Sequence, residues 1–395
     1  MHMTRHWMGT TTKRIQLEAL AATSLALALC SGCSGEDAAE AGGTISVQIS
    51  GEDAATDGFL FPSGSEVTFS DGWELCFSHV LVTLGRVTIS EDPNLSPSDQ
   101  SRTGPLVARA DGPWAIDLAR EGDALGAGGE GKAVPLASIA NQNLRNGEPF
   151  EADRPYAFGF DLVAATDGAA FVNFAGDAAA EALYASMIEN GYAVLYAGTA
   201  RFRGGDACRS SDADYDFSQI PSELSFELGF TTPTSYVNCQ NQENQGDAFP
   251  GEEFPRGIAL LPNRAALAQV TLHLEHPFFS SVVHDSGIYF DQMAARLVGE
   301  PEETTLTLDH LRGVDPTFVT DARDEPLPWR VCTGAELPPG TRGFDVGTLP
   351  VDPEGTPAEA LRDYGDFVRY VQSTQGHLNG GEGLCAIHRN YPSPP

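Results

Sequence analysis

The segment Trp73–Ile89 (WELCFSHVLVTLGRVTI) limits the fold more than any other part of the chain. It is long, free of proline and rich in β-branched and aromatic side chains, which reads as an extended strand, with Gly85 as a bulge or bend. Shorter segments of the same character recur at Thr44–Ser50, Glu66–Ser70, Trp114–Leu118, Pro155–Ala165, Gly191–Phe202, Glu223–Phe230 and Ala266–His276. The Gly-rich stretch Glu121–Gly131 reads as a surface connection between strands. Helical patterns are fewer. Asp177–Asn190 places Leu183, Met187 and Ile188 at helical spacing behind the N-cap candidate Asp177, and Tyr289–Leu297 is a short candidate. Pro357–Gln375 sets Leu361, Tyr364, Phe367, Val368 and Val371 on one face. The expected class is mainly β: an antiparallel β-sandwich over residues 44–298 with a smaller, mainly helical C-terminal appendix over 299–395.

The start of the chain has a different character. Lys13 and Arg14 precede an apolar run, Ala19–Leu29, too short to span a bilayer comfortably and closed by Ser31-Gly32-Cys33. Small residues before Cys33 suit a lipoprotein peptidase; Cys30 is the rival, but follows the bulky Leu29. The expectation is a signal peptide at 1–32, lipid on Cys33 and a Gly-ended acidic tether at 33–43, placing the body in the cell envelope on an outer-membrane anchor. A soluble secreted protein is the competing reading.

With 55 acidic against 23 basic residues, the formal net charge is −32, a field that repels nucleic acid and anionic lipid headgroups. The membrane is therefore expected as a partner through the lipid alone, with an envelope protein or small ligand as the other candidates. Cys76, Cys208, Cys239, Cys332 and Cys385 show no Cys-x-x-Cys spacing, which argues against a zinc ribbon or redox dithiol. In an oxidising compartment Cys208, Cys239, Cys332 and Cys385 are disulfide candidates. The most local pairing joins Cys208 to Cys239 and Cys332 to Cys385, leaving Cys76 as a buried thiol; the sequence leaves the connectivity open.

Chemistry concentrates in Gln269–Phe279 (QVTLHLEHPFF) and the following His284-Asp285. On a strand His273 and Glu275 share a face, while Pro277 breaks regular pairing beside His276. Imidazoles with a carboxylate at a strand end suit zinc or copper, so His273, Glu275, His276 and His284 are candidate ligands. The alternative is a hydrogen-bonded surface pair in a structural or adhesive module. His377 joins only if the C-terminal region folds back over the strand end. Asp212, Asp214, Asp216 and Glu223 imitate calcium-loop spacing, but Phe217 stands where such a loop needs glycine. No Gly-x-Ser-x-Gly, His-Glu-x-x-His, phosphate loop or Ser-x-x-Lys occurs, which lowers the expectation of an enzyme.

Four phrases, DGWELCFSHVLVTLGRV (71–87), SYVNCQNQ (235–242), AQVTLHLEHPFFSSVVHDSGIYFDQMAA (268–295) and STQGHLNGGEGLCAIHR (373–389), resemble a group of uncharacterised lipoproteins from GC-rich Gram-negative genomes. The resemblance implies kinship over most of the mature chain and an envelope location, and implies no activity. Similar sequences carry an acidic calcium-type loop after the histidine phrase. Here Gly299–His310 keeps Leu306-Thr307-Leu308 but has Gly299 and Pro301 at expected oxygen-ligand positions.

Overall fold

The structure is a computed structural model that describes residues 42–389 except 63–66, 128–131, 282–286, 301, 345–360 and 382. The leader, Cys33 and most of the tether lie outside the described residues, as do His284 and Asp285. The strands in chain order are β1 (Ile45–Ser50), β2 (Trp73–Ser90), β3 (Leu106–Asp117), β4 (Val134–Ile139), β5 (Pro155–Leu162), β6 (Ala170–Phe171), β7 (Val194–Phe202) and β8 (Arg209–Ser210). They continue with β9 (Glu223–Phe230), β10 (Thr234–Val237), β11 (Ile258–Ala259), β12 (Ala266–Leu272), β13 (Thr305–Thr307), β14 (Arg330–Val331), β15 (Gly376–Leu378) and β16 (Ala386–Arg389). The helices are α1 (Glu52–Asp57), α2 (Ala178–Asn190), α3 (Asp291–Ala294) and α4 (Tyr364–Gln372).

The fold is mainly β, with two principal sheets in a sandwich-like arrangement and a few helices towards the C-terminus. The larger sheet runs β13-β9-β7-β2-β5-β10-β16, with β3, β6 and β11 attached, and the smaller runs β15-β12-β1-β4. β2 is the spine of the larger sheet: Trp73–Val82 pairs with β7, while Leu84–Ser90 lies between β3 and β5. Register slips at Gly85 against both β3 and β5, so the glycine marks a bulge as its place in the sequence suggested. Alternation sorts the faces of β2. Val80, Val82 and Leu84 enter the main core with Ile45, Val47, Val270 and Leu272 of the smaller sheet, while Leu81 meets Tyr184 and Met187 of α2 on the opposite face. Asp177 caps α2 by accepting from the Ala179 and Ala180 amides.

Some expectations need correction. Val67–Phe69 is not a strand; the chain there turns, with the Ser70 amide given to the Ile288 carbonyl and that of Gly72 to Phe69. Cys76 is exposed rather than buried. The disulfides are Cys208–Cys332 and Cys239–Cys385, not the local pairs. Strand pairing is the reason: β8 and β14 are antiparallel with Arg209 opposite Val331, which sets the adjoining Cys208 and Cys332 against each other. Likewise β10 and β16, with Val237 opposite Ala386, bring Cys239 to Cys385. The C-terminal region is thereby woven into the body, adding β15 to the smaller sheet and β16 to the larger. β1 and β12 run parallel, as do β9 and β13, a departure from a wholly antiparallel sandwich.

A buried ionic cluster joins distant segments below the N-terminal end of β2. Asp291 accepts from the Trp73 indole at 2.8 Å and is gripped by Arg330 through Nε at 3.0 Å and Nη2. The Asp71 carboxylate accepts the Phe290 and Asp291 amides, both at 2.8 Å, and faces Arg342 at 3.4 Å. Burial first, and then the neighbouring Asp291 charge, push the Asp71 carboxyl up to about 7.

Candidate metal centre

β12 reads ALAQVTL, an alternation that would leave one face wet in an ordinary sandwich. Here both faces are covered. Ala268, Val270 and Leu272 enter the core, and Gln269, Thr271 and, just past the strand, His273 are buried on the other side. Gln269 receives Nε2 of Gln48 at 2.9 Å and the Ala127 amide at 2.8 Å on its Oε1, and its own Nε2 donates to Thr271 Oγ1 at 3.1 Å. β15 covers the outer edge, with Thr271 opposite His377 and Leu272 opposite Gly376. The C-terminal region has therefore folded back over the strand end, the condition under which His377 could join the histidine phrase.

Two local devices aim the other imidazoles. The His273 amide donates to the Gln375 carbonyl at 2.9 Å, closing the sheet above β15. Pro277 then turns the chain into a 3-10 segment, His276–Phe278, so His276 swings back towards His273 instead of facing away as a strand would dictate. His273, His276 and His377 converge, with one nitrogen from each lying within 4.8 Å of the others. All are buried, with relative exposures of 4%, 0% and 0%. The His273 and His377 rings stack at 4.2 Å between centroids and 16° between planes, and His276 stands edge-on to both.

Hydrogen bonds select the donor atoms. Thr374 gives its hydroxyl proton to the Val371 carbonyl at 2.7 Å, so its oxygen accepts the 2.6 Å bond from Nδ1–H of His276. Nδ1–H of His377 donates to the Gly383 carbonyl at 3.2 Å. In each ring the lone pair then sits on Nε2, and the partner behind Nδ1 fixes ring orientation, as in metal-ligating histidines. Glu275 Oε1 stands 3.6 Å from Nδ1 of His273, too long for a hydrogen bond but on the same rear side. Glu275 thus lies on the Nδ1 side of the His273 ring. On the front, Glu52 Oε2 is 3.8 Å from Nε2 of His273. Sequence reasoning missed Glu52 and the supporting Thr374, since nothing local to α1 or to the end of α4 signals a site.

The acidic quartet is arranged differently. Asp212, Asp214 and Asp216 are exposed in the loop after β8, and Asp212 Oδ1 accepts the Asp214 amide at 2.9 Å. Asp216 caps the turn Phe217–Gln219, accepting from the Ser218 amide at 3.0 Å and hydroxyl at 2.6 Å, bonds that hold its carboxyl below the usual range. Glu223 opens β9 and pairs with Arg201 at 3.0 Å. Among the described residues, the histidine trio is the grouping of three or more potential ligands with metal-holding spacing.

No family model, curated protein or solved structure matches the chain. Among the described residues, no helix is long and apolar enough to cross a membrane.

Proposed function

We propose that this is an exported cell-envelope protein that binds a transition-metal ion, zinc or copper, through Nε2 of His273, His276 and His377. The convergence of three buried imidazoles is the observation that carries the reading. Three neutral nitrogen donors suit a borderline cation, for which nitrogen ligands lie about 2.0–2.1 Å from the metal and about 3.4 Å from one another. A spread of up to 4.8 Å comes within reach of that spacing by small ring rotations. Bonds to Thr374 and Gly383 supply outer support, and the net charge of −32 favours cation capture.

Attachment through Cys33 belongs to the same proposal. It rests on the charged, apolar and small-residue sequence of the first 33 residues. Two disulfides are compatible with an oxidising compartment.

Calorimetric titration of the mature protein with zinc and with copper tests the centre. The parent should bind one equivalent, and His276→Ala and His377→Ala should each weaken binding by more than the roughly 10–100-fold that loss of an outer partner causes. Parent-like binding by both variants refutes the site. Fractionation of cells carrying Cys33→Ser tests the anchor: the parent should sediment with membranes and the variant should not.

A further inference from the structure

We infer that Glu52 is the fourth ligand of this centre, closing a three-histidine, one-carboxylate set over the ion from its solvent side. The inference rests on the metal-binding reading above. Parallel pairing of β1 with β12 places Ser50 opposite Thr271, and two residues further along each chain stand Glu52 and His273. The register therefore delivers a carboxylate to the strand end that carries the imidazoles. Glu52 Oε2 lies 3.8 Å from Nε2 of His273, the nitrogen facing away from Glu275, and both are spaced as neighbouring ligands of one ion would be after a small side-chain rotation. The His273 side chain is 4% exposed and that of Glu52 35%, so the carboxylate spans the distance between buried donors and water.

Three further observations agree. Glu52 adopts φ of 56°, a left-handed conformation rare for a residue of its kind and characteristic of functional positions. Its amide is held by Ser50 Oγ at 2.9 Å, which fixes the entry into α1. The loop after His377 rises against the same carboxylate: a side chain at Gly380 would place its first carbon 3.3 Å from Glu52 Oε1, and the Gly380 amide is anchored on Thr271. Three neutral imidazoles leave a divalent cation uncompensated in a buried place, and a carboxylate ligand removes half of that charge.

Cobalt(II) loading followed by visible spectroscopy, together with zinc titration, tests the assignment on the parent, Glu52→Gln, Glu52→Asp and His377→Ala. Glu52→Gln should lower zinc affinity by more than the roughly 10–100-fold that loss of an outer partner causes and shift the cobalt bands. Added azide should perturb its spectrum, through the opened position, but not that of the parent. Glu52→Asp, one methylene shorter, should shift the bands even if Glu52→Gln proves unstable. Parent-like affinity and spectra in both Glu52 variants, with binding lost in His377→Ala, overturn the fourth ligand and leave the histidine centre standing. A parent that takes up neither zinc nor cobalt overturns both.

Discussion

Thr374 illustrates how much of the site is decided one atom away from it. Its hydroxyl is committed as a donor to Val371, and only that commitment makes its oxygen an acceptor for His276. Thr374→Val keeps the shape and removes the oxygen. It should reduce zinc affinity about 10–100-fold while the far-ultraviolet circular dichroism stays parent-like; unchanged affinity would show that Thr374 does not orient the ring. Glu52 makes the opposite bargain between stability and function. A left-handed glutamate costs on the order of 1–2 kcal/mol, and asparagine tolerates that region better. Glu52→Asn should therefore raise the urea midpoint of the metal-free protein, by up to about 1 kcal/mol of stability, and weaken metal binding. A lower midpoint would remove strain from the account. Neither residue was legible in the sequence, because each matters through a partner brought close only by tertiary folding.

At the scale of elements, alternation was readable where one sheet face enters the core and the strand is long. Glu223–Phe230 emerges with the bounds its pattern suggests, and Asp177 caps α2 as its type and place imply. β14, β15 and β16 are two to four residues long and owe their existence to distant partners, so no periodicity announces them. The same limit hid half of the site. His273 and His276 stand out as a phrase, whereas His377 is brought in by β15 pairing with β12 and Glu52 by the parallel register of β1. Gly376 is the weak point of β15. A side chain there would place its first carbon 2.4 Å from the Tyr236 ring, and the Tyr236 hydroxyl also holds the Ser373 carbonyl at 2.9 Å. Gly376→Ala should push β15 off β12, destabilise the protein by about 1–3 kcal/mol and abolish tight zinc binding. Retention of parent-like affinity would mean that the edge strand is not what positions His377.

Across the whole molecule, two kinds of long-range tie should respond differently to conditions. The ionic cluster responds to pH. Asp71 has its carboxyl raised to about 7 in the fold, against 3.8 for the ordinary group, so between these values the folded chain holds a proton that the unfolded chain has released. Rising pH then favours unfolding: the contribution is intact below about 4 and lost by about 7, with a slope of at most about 1.4 kcal/mol per pH unit. Asp71→Asn should flatten urea-unfolding stability over that window, and a slope equal to the parent's would assign the dependence to other groups. The disulfides respond to reductant, and only one of them borders the candidate centre. They interleave along the chain, spanning 124 and 146 residues, and in the chain-entropy description each contributes about 5 kcal/mol. Cys239–Cys385 closes on the segment that carries His377 and the Gly383 carbonyl behind it, while Cys208–Cys332 ties β8 to β14. Paired serine substitutions separate the two roles. Removing either bridge should lower the midpoint of unfolding, but only Cys239→Ser/Cys385→Ser should also weaken zinc binding, because it frees the strand that brings His377 to β12. Equal loss of affinity in both double variants would mean that the centre depends on global stability alone.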